Sequence, residues 1–340
     1  MKNNENTILY LSEKDVIKCR GDDLDFYIKT IEDVFRVHNN KDFKQPSGAY
    51  LRRGDVTSEK TTGRIIALPG YIGGKYRVWG IKWIASNPRN PQKFGLPRAN
   101  GTIILNDLET GLPVCMLNGT LISVMRTAAV TAVAEKYLAK KDSETIGICG
   151  AGVINKMQVT TTLKILKNIK QLKIFDINEK NAKTLADYFS REHKLKCTVC
   201  KTAKEAVSGS DIIITATTAA SGDEYIEAEW IKPGSFFSNV SLNDPKFEVI
   251  LSSDKIVVDD WEHSNKEDRI LNRIYKKKLI TEDNIYAELG EIVSGKKPGR
   301  EDANEKIFFN PMGMGIEDLA CAVEIYKTAL KKKIGTILKR

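Results

Sequence analysis

The chain has 340 residues, 41% of them hydrophobic, and a formal net charge of +9 from 53 Lys+Arg against 44 Asp+Glu. That length sets an expectation of two domains with sizeable cores. Its basic residues are interleaved with acidic ones, which argues against a nucleic-acid binder and for a solvated surface or a field that draws in an anionic substrate.

The start, MKNNENTILYLSEKD, lacks the charged-then-apolar layout of a signal peptide, and the longest apolar runs are only strand-length. A soluble, cytoplasmic protein with no membrane partner is expected. ILYLS reads as a strand and LDFYIKTIEDVFRVHNN as a helix, by its apolar spacing. GRIIALPGYIGG, YRVWGIKWIAS and GTIILND read as further strands. Leu112–Leu117 then leads into a long helix, roughly Ser123 to Lys140, whose face of Ala128, Ala129, Ala132 and Ala134 permits close packing.

At Glu144 the pattern changes to strict strand–helix alternation: TIGIC, VINKMQVTTTLKILKNI, LKIFD, NEKNAKTLADYFSREHK, CTVC, TAKEAVSGS, DIIITAT, SFFSNVS, KIVVDD. Such alternation predicts a parallel sheet with helices on both faces. After KIFFN comes one amphipathic helix, IEDLACAVEIYKTALKKK, which is free to return to the N-terminal domain; the basic LKKKIGTILKR reads as a helix end and tail. The fold class is therefore α/β, a doubly wound parallel sheet plus a mixed α/β domain. The cysteines, Cys197 and Cys200 included, are scattered, and the three histidines are isolated, so no metal site is expected.

Gly150-Ala151-Gly152 follows the strand TIGIC and opens a helix. That is the context a dinucleotide turn requires. Gly150 makes the tight turn, Gly152 lets the backbone approach a pyrophosphate, and the N–H groups at Val153 and Ile154 face it. Asn155 occupies the third glycine slot, where close helix–strand packing calls for a small residue. Asp176 ends the second strand, where a carboxylate binds the ribose 2′-OH and repels a 2′-phosphate; no arginine follows in Ile177-Asn178-Glu179, so NAD is expected over NADP. Taken alone, Asp176 is also a plausible helix N-cap.

In the first half, Lys82 stands inside the apolar strand WGIKWIAS and Arg126 inside SVMRTAAV. Either is costly to bury without a partner or a function. Arg52 and Arg98 taken singly read as surface charges.

GIKWIAS, ANGTIILNDLETGLPV, LISVMRTAAV, ICGAGV and NPMGMGIED occur in the order of the motifs of ornithine cyclodeaminases and μ-crystallins, and the chain resembles that family from about residue 8 to 337. The resemblance implies a substrate-binding and dimerisation domain over 1–125, completed by helix 315–340, and an NAD-binding Rossmann domain over 126–314. It implies Arg52, Lys82, Arg98 and Arg126 as substrate ligands, with Arg126, Asp176, Thr217 and Met312 against NAD. It implies a homodimer acting on a small amino-acid-derived substrate, its interface made by the N-terminal sheet and the Ala-rich helix. Cyclising members carry Gly-Gly-Asp after the strand SFFSNVS. An ungapped count puts Ser241, Leu242 and Asn243 there, with Asp244 one residue late.

That departure, with YLR, VVDDW, AELG and PGRED, resembles instead a branch that oxidises N-(2-amino-2-carboxyethyl)-L-glutamate to 2-oxoglutarate and L-2,3-diaminopropionate for siderophore synthesis. PGRED and VVDDW are not demanded by the fold. Asp244 and Lys82 are then the acid/base candidates.

Overall fold

The computed structural model describes residues 7–53, 63–219, 221–266 and 269–340. The chain divides into two compact units, Met1–Arg126 with Met314–Arg340, and Thr127–Gly313.

The first unit is built on a mixed sheet. Its strands are β1 (Thr7–Leu11), β2 (Phe43–Lys44), β3 (Ala49–Arg53), β4 (Gly63–Ile72), β5 (Val78–Ser86), β6 (Ala99–Asn106) and β7 (Pro113–Asn118). A C-terminal strand, Thr336–Lys339, lies at one edge, and the order inward from it is β1, β7, β6, β5, β4, β2, with β3 also pairing with β4. The segment read as a helix end and tail thus closes in a strand: Thr7 pairs with Lys339 and Tyr10 with Thr336, antiparallel. The β4–β5–β6–β7 run is antiparallel, while β1 and β7 are parallel. Helix Gly315–Lys332 packs on β4, β5, β6 and on helix Leu24–Asn39. Gly80 in β5 permits its close approach, since a Cβ there would meet Leu319 at 3.1 Å and the Ile104 carbonyl oxygen at 2.3 Å. Side chains alternate across a strand, so the other face of β5 presents Trp79 and Trp83, 42% and 47% exposed.

The second unit holds β8 (Thr145–Cys149), β9 (Gln171–Phe175), β10 (Lys196–Val199), β11 (Ile212–Thr215), β12 (Phe236–Asn239), β13 (Lys255–Val258), β14 (Ala287–Glu288) and β15 (Ile307–Asn310). Their order is β10-β9-β8-β11-β12-β15-β13-β14, and every pairing is parallel. The strand order reverses between β8 and β11, the switch point at which open α/β sheets receive ligands. β8, β11, β12, β13 and β15 are apolar along most of their length and buried, as a sheet covered on both faces demands.

The long helix runs from Thr120 to Leu138, starting three residues earlier than the sequence reading placed it. Ala128, Ala129, Ala132 and Ala134 are fully buried within the chain. Thr162 on helix Val153–Ile165 donates to the Glu135 carboxylate on this helix at 2.7 Å. The alanine face is therefore buried within the single chain and is not available to an interface between copies, contrary to expectation.

PGRED and VVDDW are used by the fold after all. Arg300 donates to the carbonyl oxygens of Leu138, Glu305 and Ser235 at 2.7, 2.6 and 3.1 Å, tying its loop to the end of the long helix. Asp259 accepts from the Gly313 N–H at 2.6 Å, and Asp260 caps helix Trp261–Ser264.

Candidate functional site

Gly150 directly follows β8 with φ +92°, and a Cβ there would meet the Ala216 carbonyl oxygen at 2.7 Å, so only glycine fits. Gly152 caps helix Val153–Ile165, and a Cβ on it would meet nothing within 4 Å. A thirteen-residue helix thus points its unpaired N–H groups, Val153 and Ile154 among them, into open space.

Asn155 is completely buried. Its side-chain amide donates to the carbonyl oxygens of Cys149 and Gly150 at 2.8 and 2.6 Å. The third slot here needs a donor that braces the turn, not a small residue. Asp176, at the end of β9, accepts from the Ala151 N–H at 2.6 Å and the Asn178 N–H at 2.7 Å. The following helix, Glu179–His193, is capped by Asn178, so the N-cap reading of Asp176 falls away.

Beyond β11 and β12 lies a buried carboxylate. Asp244 is 0% exposed and accepts from the Tyr225 hydroxyl at 2.6 Å and from the Thr217 hydroxyl, both at Oδ1. Its Oδ2 is buried with no hydrogen-bond partner among the described residues. Burial pushes its pKa up, against the two donors that hold it down. Across the strand ends runs a polar ladder: Thr215 donates to Asn239 at 3.0 Å, and Asn239 to Asn310 at 2.9 Å. Met312 sits just beyond Asn310, in the loop that Asp259 anchors through Gly313. Gly150, Asp176, Thr217, Asp244 and Met312 thus all follow the carboxyl ends of neighbouring parallel strands.

The first unit holds the cations. Lys82 is 2% exposed; its Nζ lies 2.8 Å from Asp318 Oδ1 and donates to Ser123 Oγ at 2.8 Å. Arg126 reaches Glu317 through Nη1 at 2.7 Å and Asp318 through Nε at 3.1 Å. Burial pulls Lys82 down to about 8, against the pull of Asp318 in the other direction. Burial also opposes the charge on Arg126, but Asp318 and Glu317 outweigh it and the pKa is raised. Two cations and two carboxylates form a neutral buried cluster at the first turn of helix Gly315–Lys332, where carboxylates also favour the dipole.

Arg52 and Arg98 are not part of this cluster. Arg52 pairs across β3–β4 with Arg64, Arg64 with Ser86, and Ser86 with Ala99, next to Arg98. Ser86 is four residues from Lys82 along β5, roughly 13 Å at strand rise. By strand alternation Arg52 shares the Lys82 face of the sheet, and Arg98 is exposed.

Glu317, Asp318, Ser123 and Tyr225 were missed in the sequence. A signal existed for the first two: adjacent acids opening a helix whose next residues, Leu319-Ala320-Cys321-Ala322, are all apolar.

A parallel sheet with a glycine turn at its switch point, joined in one chain to a cation-bearing mixed α/β unit, defines a two-unit dinucleotide-fold protein. The chain belongs to the ornithine cyclodeaminase/mu-crystallin family, whose model matches residues 21–333. It is 39% identical to the N-((2S)-2-amino-2-carboxyethyl)-L-glutamate dehydrogenase of Staphylococcus aureus, over 97% of this chain and 98% of that one. Among solved structures, it is similar to the Thermococcus litoralis Delta(1)-pyrroline-2-carboxylate reductase in complex with NADH and L-proline. The TM-score is 0.87 and the identity 35%, covering 97% of this chain and 99% of that one. It is also similar to an archaeal alanine dehydrogenase dimer with bound NAD, with TM-score 0.86 and identity 30%, covering 98% and 99%. No helix among the described residues is long and apolar enough to cross a membrane.

Proposed function

We propose that this chain is an NAD-dependent oxidoreductase acting at a carbon–nitrogen bond, and that its substrate is N-(2-amino-2-carboxyethyl)-L-glutamate. The observation that carries the reading is Asp244: a buried carboxylate with one unpartnered oxygen, following the strand ends beside a glycine turn built for a dinucleotide. The long, full-coverage similarity to the staphylococcal dehydrogenase supports the choice of substrate.

The open cradle at Gly152 fits a pyrophosphate, with Gly150, Val153, Ile154, Asp176, Thr217, Met312 and Arg126 holding the cofactor. NAD+ supplies the acceptor for the hydrogen and electron pair leaving the glutamate Cα. The substrate becomes an imine, and water adds to it. The C–N bond then breaks to give 2-oxoglutarate and L-2,3-diaminopropionate. In sum, substrate, NAD+ and water give the two products, NADH and a proton.

Lys82 and Arg126 grip substrate carboxylates through the donors their ion pairs leave over, Nη2 in the case of Arg126. Arg52 and Arg98 supply positive charge for the remaining carboxylates of a three-carboxylate substrate. Asp244 or neutral Lys82 takes the proton from the attacking water. The protein is a homodimer, joined through the open sheet face that carries Trp79 and Trp83, and its pathway is siderophore synthesis in the cytoplasm.

Incubation with NAD+ and this substrate is expected to yield NADH, 2-oxoglutarate and diaminopropionate in equal amounts, read by absorbance and mass spectrometry. A second reading, an imine reductase or amino-acid dehydrogenase, is favoured by the likeness to the pyrroline-2-carboxylate reductase. NADH consumption with that cyclic imine and no turnover of the glutamate adduct would select it. Ammonia release from ornithine without net NADH would select a cyclodeaminase.

A further inference from the structure

We infer that Tyr225 is a positioning residue, which together with Thr217 occupies one oxygen of Asp244 and leaves Oδ2 as the single oxygen that takes up the proton. The inference rests on the reading of Asp244 as the acid/base group.

The geometry is over-determined. The backbone N–H groups of Tyr225 and Ile226 both donate to the Asp244 carbonyl oxygen at 3.0 Å, and Lys246 N–H donates back to the Ile226 carbonyl at 3.0 Å. Ile226 and Pro245 form an isolated parallel bridge. Residues 225–226 and 244–246 are thus clasped by the main chain, and the Tyr225 hydroxyl then meets Oδ1 at 2.6 Å.

Thr217 is oriented too. Its Oγ1 accepts from the Ala219 N–H at 3.2 Å, so its own proton is turned toward Asp244. A hydroxyl holds one proton, and both hydroxyls spend theirs on Oδ1. That oxygen is electronically satisfied, while Oδ2 carries the basicity in a buried setting.

The titratable groups facing Asp244 are Tyr225 itself and Cys149 at the end of β8, whose thiol burial keeps protonated. Nearby, Arg273 pairs with Glu224 and donates to Asn243 at 3.3 Å, holding the loop before Asp244 in place. Arg273 and Glu224 thus neutralise one another beside the site. Asp244 acts in its ionised form as base, so activity falls as pH drops through its pKa. Removing a donor to the carboxylate raises that pKa and moves the acid limb to higher pH.

The test is the pH profile of kcat/KM in Tyr225→Phe, with Thr217→Val and Asp244→Asn in parallel, each checked for melting temperature and NAD affinity. We expect Tyr225→Phe to move the acid limb upward by about one pH unit and to lower kcat about tenfold, with KM and NAD affinity near wild type. Thr217→Val is expected to act in the same direction. A purely structural tyrosine would lower the melting temperature and leave the limb where it was; that result, with Asp244→Asn inactive, overturns the role of Tyr225 alone. Near-normal turnover in folded Asp244→Asn overturns the reading beneath it as well.

Discussion

Asp318 is shared: one carboxylate oxygen lies 2.8 Å from Lys82 and the other 3.1 Å from Arg126, with all three side chains buried. Asp318 is therefore the hinge of the charge balance in the first unit. It keeps Lys82 more basic than burial alone would.

If neutral Lys82 acts as base, kcat/KM rises with pH through about 8. Asp318→Asn removes the charge that favours the ammonium, so the limb is expected at lower pH. The same change leaves Arg126 with one buried counter-charge, and a stability loss of roughly 3–5 kcal/mol is expected from breaking a buried pair. Thermal melts and pH–rate profiles on the same protein separate the two effects.

Glu135 offers a pH dependence unrelated to catalysis. It is buried, and burial raises its pKa to about 8, with Thr162 as donor on the other side. The folded state therefore binds a proton that the unfolded chain releases near its ordinary carboxylate range. Stability from this group is full at low pH and is lost as pH rises toward 8. Glu135→Gln is expected to flatten the slope of melting temperature between about pH 5 and 8. An unchanged slope would remove Glu135 from the account.

Cofactor choice is tested at the end of β9. Asp176→Ser with Ile177→Arg is expected to shift preference from NAD toward NADP, since Ile177 is 97% exposed and an arginine there has room. Because Asp176 also accepts from Ala151 N–H, some loss of affinity for both cofactors accompanies the switch. A wild-type protein that already prefers NADP would refute the assignment of Asp176.

The dimer proposal places Trp79 and Trp83 in the interface. Trp83→Glu is expected to yield a monomer by light scattering at micromolar concentration, with the fold intact because the residue is half exposed in the single chain. A stable dimer in that variant moves the interface elsewhere.

The second unit was legible because its signals are local. A strand, a glycine turn, a helix and an acidic strand end stand between Thr145 and Asp176 in the order the chemistry needs. Lys82 and Arg126 were legible only as anomalies, charges in apolar runs. What they pair with was not, because Glu317 lies 191 residues from Arg126 and only the fold brings them together. Asn155 shows the opposite failure. A position expected to demand smallness demands a hydrogen-bond donor, and volume rules do not reveal that. The C-terminal strand was misread because every residue of Thr336–Lys339 is exposed and carries no buried periodicity; only its edge pairing with β1 makes it a strand.

The first unit is built from both ends of the sequence, and this orders events on the ribosome. Lys82 and Arg126 are synthesised long before the acids that neutralise them, so until helix Gly315–Lys332 emerges the first unit carries two cations without their buried partners. The second unit is continuous from Thr127 to Gly313 and has no such wait. Domains tend to fold as they emerge. Here the continuous unit is fully synthesised before helix Gly315–Lys332, so the first unit is the one left waiting for its two carboxylates.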